Sequence, residues 1–232
     1  ADEWPQAVRT EAFLTFIGET VPIWAIQGES ETSPYARSQA TTAGVVTGIF
    51  PELGGFWIQE RRTDENPQTS AGLFVLTETV PITVSLATGD LVQVEGTVRE
   101  RSGQTLLEPL SAGAVMVASQ MNPLPEAVEL DPPAELSAAQ RYYESLEGML
   151  VTVSGQAVAV GPTNSYGEYA LVRADLGIER VYRGDPAGML IFVDDGSEIA
   201  YEGGDRLPYA VNSGDLVANV TGPLAYTFGQ YK

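Results

Sequence analysis

Two short stretches of this chain gather oxygen ligands, DENPQTS at 64–70 and VDDGSE at 193–198. Clustered carboxylates are the raw material of a hard-cation site, so calcium or magnesium is the ion that Asp64, Glu65, Asp194 and Asp195 could hold. Calcium loops space their acids at alternating positions around a glycine and close on a glutamate, and neither stretch has that spacing. The competing reading is a solvated acidic loop. Asp194 and Asp195 are adjacent, so in a strand they face opposite ways and make no carboxylate dyad. The chain has no cysteine and no histidine, which excludes disulfides, thiolate nucleophiles, the common zinc sites and every histidine-based triad. No GxxxxGK[ST], GxGxxG or GxSxG motif occurs. The sequence requires no cofactor, and the chain reads as non-catalytic.

Binding is the better-supported chemistry. Bases of single-stranded nucleic acid stack on exposed aromatics while basic groups meet the phosphates. Phe56, Trp57, Arg61, Arg62, Arg99 and Arg101 are the candidates for such a surface. Adjacent Phe56 and Trp57 face opposite ways in a strand, so one of them is expected to be exposed. The alternative is that both pack, one inside its own domain and one against a linker or neighbour. A net charge of −19, from 31 acidic and 12 basic residues, repels polyanions. DNA or RNA is therefore expected to bind at low affinity. The basic residues are arginines except for the single lysine, Lys232.

The elements that must position these residues are strands. TTAGVVTGIF (41–50), GGFWIQER (54–61), AGLFVLTE (71–78), GDLVQVEGTVRER (89–101) and TLLEPL (105–110) are short, rich in β-branched and aromatic residues, and bounded by turn residues. In the fourth, Val92, Val94, Gly96 and Val98 share one face. RSGQ at 101–104 is a tight turn that makes a hairpin of the last two. Residues 22–118 thus predict a small barrel, after a lead at 1–21 whose RTEAFLTFIGE has helical character. A proline-rich linker with Pro123, Pro125, Pro132 and Pro133 follows, and then AELSAAQRYYESLEG predicts a short helix. Leu136, Ala139, Tyr143 and Leu146 fall at helical spacing and would seat it.

Residues 148–232 are a second strand-rich block, with GMLVTVSGQAVAV, GEYALVR, GMLIFVDD and GDLVANVTGPLAYTFGQY. GDLVQVEGTV at 89–98 returns there as GDLVANVTGPL at 214–224. The repeat predicts two related barrels, with Gly96 and Gly222 where a coiled strand leaves no room for a side chain. The second copy carries one extra residue, the mark of a bulge. The predicted fold is mainly β: two small OB-like barrels joined by the linker and helix of 119–147. No apolar run approaches the length of a membrane span. The opening ADEWPQAVRT has neither the basic start nor the apolar stretch of a signal peptide.

The segment AIQGESETSPYARSQATTAGVVTGIFPELGGFWIQE resembles the N-terminal region of large bacterial extracellular nucleases. In that family an IQG…SP lead precedes GVVTG and GGFWIQ-like strands. DENPQTSAGLFVL, GDLVQVEGTVRE and RYYESLEGMLVTV follow in the family's order, and the likeness covers residues 22–160. It implies an OB-like, nucleic-acid-binding region of a secreted bacterial protein, upstream of a metal-dependent phosphodiesterase domain of which nothing is present here. The family's loop at DENPQTS is more acidic and contains glycine, a departure that weakens a cation site at Asp64 and Glu65. The leading expectation is a non-catalytic accessory region that positions nucleic acid for that domain. The other is a structural or protein-interaction spacer, whose partner is the protein's own downstream catalytic domain or another chain.

Overall fold

The structure is a computed structural model that describes residues 19–61, 66–197, 199–201, 207 and 209–232. The lead sequence RTEAFLTFIGE falls almost wholly outside them. A five-residue helix, α1 (Ile23–Gln27), buries Ile23 and Ile26 in the core of the first unit. Six strands follow: β1 (Gln39–Phe50), β2 (Gly55–Gln59), β3 (Gly72–Leu76), β4 (Leu91–Arg101), β5 (Gln104–Pro109) and β6 (Val115–Ser119). They pair in the order β1-β2-β3-β5-β4, and β1 pairs with β4 from Gln39↔Thr97 to Val45↔Leu91, which closes a five-stranded barrel. β3 and β5 run parallel, and the remaining neighbours are antiparallel. β6, which the strand pattern does not predict, lies on β4.

The alternation in β4 is what closure requires. Val92, Val94 and Val98 point inward and are fully buried with Val46, Ile58 and Leu107. Ser102 and Gly103, both at positive φ, make the turn between β4 and β5. Gly96 lies where β4 coils against β5: a Cβ there would meet the Glu108 carbonyl oxygen and Leu107 Cγ at 2.7 Å each.

The second unit differs from expectation. β7 (Val128–Glu129), α2 (Leu136–Glu144), β8 (Leu150–Ala159), β9 (Tyr169–Arg173), β10 (Ile191–Val193) and β11 (Leu216–Pro223) follow in order, and the last strands are β12 (Tyr226–Thr227) and β13 (Gln230–Tyr231). The main sheet has the order β10-β9-β8-β11, with β7 also on β8, and β10 does not pair with β11. It is an open sheet, so the predicted second OB-like barrel is not formed. The physical reason lies after β11. In the barrel the chain leaves β4 by a tight turn and returns as β5, which bridges β3 and β4. After β11 it folds into the separate β12–β13 ladder instead, and no described strand bridges β10 and β11.

The repeat therefore holds for one strand and fails for its setting. The extra residue of the second copy is a bulge, since the register between β11 and β8 slips between Ala218 and Val220. Gly222, in contrast to Gly96, has no atom of the described residues within 4 Å of an added Cβ. An open sheet does not crowd that position. We expect Gly96→Ala to cost about 2 kcal/mol by forcing β4 off β5. Gly222→Ala is expected to be neutral or to stabilise by up to about 1 kcal/mol by restricting the unfolded chain. Paired denaturant titrations check both, and equal costs at the two sites would contradict the difference in closure.

The linker also contributes to the sheet. Its prolines leave Val128 and Glu129 free to pair in parallel with Val151 and Thr152. Glu135 caps α2, its carboxylate accepting hydrogen bonds from the Ser137 and Ala138 amides. Ala139 and Tyr143 seat the helix in the core of the open sheet, and Leu146 follows just beyond it. Leu136 is exposed and takes no part.

Candidate interaction site

β2 presents Phe56 and Trp57 to opposite sides, as alternation demands, yet both are only 2% exposed. Phe56 enters the barrel core. Trp57 lies on the other side of the strand, where it packs with Phe74 at a centroid separation of 4.7 Å and with Leu76 and Leu106. Phe50, Leu53 and Ala225 complete its surroundings. Of the two readings, the exposed stacking ring fails and the packing of both rings holds, one in the barrel and one against a neighbour, because the chain after β11 returns over the outer face of β2 and places Ala225 there. Alternation reports which way a side chain points. Whether a second layer lies there is a tertiary matter.

Arg101 borders a pocket with Trp57 and Phe74, but neither it nor Arg99 offers an unpaired charge there. Arg99 Nε meets Glu108 Oε2 at 3.1 Å, and Arg101 Nη1 meets Glu78 Oε2 at 3.5 Å. Both pairs are solvent-exposed and add little stability, but they cancel local positive charge. Arg61 is exposed just beyond β2. Arg62, Asp64 and Glu65 lie outside the described residues.

Asp194 and Asp195 are each committed elsewhere. Asp194 pairs with Lys232 Nζ at 2.8 Å and accepts the Gly196 amide at 2.7 Å. Asp195 accepts the Tyr201 hydroxyl at 2.6 Å and the Ser197 amide at 3.0 Å. Among the described residues no group of three or more aspartate, glutamate, histidine or cysteine side chains is placed to hold a metal. Lys232 also bonds Glu168. Burial opposes the ammonium charge, but the hydrogen bonds and charges of Asp194 and Glu168 outweigh it and raise its pKa. The only sign of this cluster in the sequence is that the chain has a single lysine.

What the fold does bring together is a cleft of about 220 Å³ between barrel and open sheet. Leu53 and Trp57 line one side, and Val153, Ile191, Phe192 and Val220 line the other, with Lys232 and Asp194 also at its boundary. Its walls are mostly apolar, and the polar pair there is internally neutralised.

The seam beside this cleft is built from backbone and buried polar groups. Gly72, opening β3, and Gly148, before β8, touch so closely that a Cβ on Gly72 would lie 2.0 Å from the Gly148 carbonyl carbon. The Leu150 amide donates to Gln59 Oε1 at 2.8 Å, and Ser70 Oγ donates to the Glu147 carbonyl at 2.5 Å. Glu147 itself is 2% exposed. Its Oε1 accepts the Thr105 amide at 3.0 Å, whereas Oε2 has no hydrogen-bond partner among the described residues. Burial first, and then the charge of Glu144, push its pKa well above the usual carboxylate range. Glu100 adds to the rise, while the Thr105 amide and Gln27 oppose it. Burial also raises the pKa of Glu144, although the hydroxyl of Tyr231 donates to it. In the sequence Glu147 is one more residue at the end of the predicted helix, and nothing local marks it as buried.

Residues 120–232, which include the linker, α2 and the open sheet, match a family model described as Domain of unknown function (DUF8508). No curated protein and no solved structure matches the chain.

Proposed function

We propose that this chain is a non-catalytic protein-interaction module whose working surface is the cleft between the barrel and the open sheet. The observation that carries this reading is the use of Trp57. The ring best suited to stack on a base instead walls an apolar cleft. Apolar concavities with few polar groups suit apolar partners rather than phosphates. The ion pairing of Arg99 and Arg101 with glutamates supports the same choice, as does the net charge of −19. The resemblance to extracellular nucleases supports a place beside a phosphodiesterase domain, with the module acting as a docking or bracing region.

The test is a titration of labelled single- and double-stranded DNA and RNA at low salt, with calcium or magnesium and again with chelator. No saturable binding is expected up to high micromolar protein. Trp57→Ala should lower the unfolding midpoint and leave nucleic-acid binding unchanged. Saturable binding that falls with salt and weakens in Trp57→Ala would restore the nucleic-acid reading.

A further inference from the structure

We infer that the cleft takes an extended segment of a partner polypeptide, added as a strand between β10 and β11. This rests on the interaction-module reading above and names the occupant of its site.

The chain itself supplies the precedent. In the barrel, β5 lies between β3 and β4, parallel to the first through Phe74↔Leu106 and antiparallel to the second through Val98↔Leu107. The open sheet repeats the arrangement without that member. β10, β9, β8 and β11 follow one another as β3, β2, β1 and β4 do. The same Gly-Asp-Leu-Val sequence leads into β4 and into β11. The place corresponding to β5 holds no strand among the described residues, and the cleft lies there, with Ile191, Phe192 and Val193 on one flank and Val220, Gly222 and Pro223 on the other. Among the described residues no strand pairs with the second edge of β10 or of β11, and these two edges bracket an apolar cavity, which is the arrangement used in recognition by strand addition. A small ligand would fill the cavity and leave the edges unpaired.

Charge and volume define the occupant. The walls are mostly apolar, and Lys232 is already held by Asp194 and Glu168. The inserted stretch is therefore uncharged, with apolar side chains at alternate positions. A volume of about 220 Å³ admits roughly two such side chains, given that a cavity of about 150 Å³ holds benzene. Outside the inserted stretch the field of a chain carrying −19 favours basic flanks. The same field opposes a second copy of this chain. The bulge at Asn219 and the proline at 223 interrupt the β11 edge, so a short segment pairs and an indefinite sheet does not grow.

The experiment screens short linear peptides against the folded chain, among them the sequence of residues 104–110 with Glu108→Gln, flanked by lysines. Bound peptides are then mapped by amide hydrogen exchange. Slowed exchange at Ile191–Val193 and Leu216–Gly222 is expected. The same peptide N-methylated at alternate amides should not bind. Phe192→Lys should weaken binding at least about tenfold by placing a charge in the cleft, whereas Phe192→Leu retains it; thermal melts of both variants confirm folding. Peptides that bind with protection elsewhere would overturn strand addition and leave the interaction module standing. A folded chain to which no peptide binds would overturn both.

Discussion

Replacing Gly72 with alanine is expected to destabilise the protein by about 3 kcal/mol or more and to part the open sheet from the barrel. The added methyl would stand 2.0 Å from the carbonyl carbon of Gly148 and 2.3 Å from the Met149 nitrogen. Neither neighbour is a side-chain tip that can rotate away. Both belong to the backbone entering β8, so relief requires movement of the whole seam. That movement breaks the bond from the Leu150 amide to Gln59 and the bond from Ser70 to the Glu147 carbonyl. Each leaves a buried polar group without its partner. For a chain of this length the loss corresponds to a fall of roughly 10 °C in the unfolding midpoint. Thermal melts read by tryptophan fluorescence check it, because Trp57 is covered by Ala225 across this junction. A midpoint within about 1 °C of the parent protein would mean that the seam does not hold the two units together.

Glu147→Gln should stabilise the protein near neutral pH and remove part of its pH dependence. The carboxyl is buried between barrel and sheet, facing Glu144 and Glu100, and among the described residues it has no counter-charge and its Oε2 no hydrogen-bond partner. Its folded pKa is raised above the ordinary carboxylate value, so the native state binds the proton more tightly than the unfolded chain. The stabilising effect of that proton is fully present below the ordinary value. It is lost as pH rises through the raised folded value, after which the buried charge is a standing cost. Glutamine keeps the acceptor for the Thr105 amide and never ionises. The expected gain at neutral pH is about 2 kcal/mol, the scale of an unsatisfied buried polar group. At acid pH the variant and parent should converge. Unfolding midpoints of both proteins from pH 4 to 8 decide the matter, and a constant offset across that range would contradict the buried charge. Glu147→Ala is the control: it removes the charge but also orphans the Thr105 amide, so its gain should be smaller or reversed.

These two positions set the geometry on which the cleft depends. Gly72 lets β3 approach β8, and Glu147 ties the turn before β8 to β5 through Thr105. The cleft is bounded by β8, β10 and β11 on one side and by Trp57 and Leu53 on the other. Its shape therefore depends on the seam, and loosening the seam should weaken any strand that docks there.

The residue pattern made the five barrel strands, their hairpin and α2 legible, because alternation, turn residues and helix formers act locally. The bulge in the second copy was legible from a spacing one residue longer. The cleft was not. Ile191, Val220 and Trp57 are far apart in the chain and individually ordinary, and no local signal says that they face one another. The arginines were visible as charges, but Glu78 and Glu108, which neutralise Arg101 and Arg99, are brought there only by the pairing of barrel strands.

By itself, then, the sequence determined the strand-rich class, the barrel's inward face of Val92, Val94 and Val98, and the absence of thiol and imidazole chemistry. Those follow from residue types and a two-residue period. Tertiary structure alone decided whether each strand found a neighbour on both edges. GDLV leads into β4 and β11 alike, yet β4 meets β5 and closes a barrel, while β11 has no strand on its second edge among the described residues. Closure depends on what the chain does after the strand and on which distant surface covers it. Burial of Trp57 and of Glu147 was settled in the same way, because exposure is a property of the layer above a residue rather than of the residue.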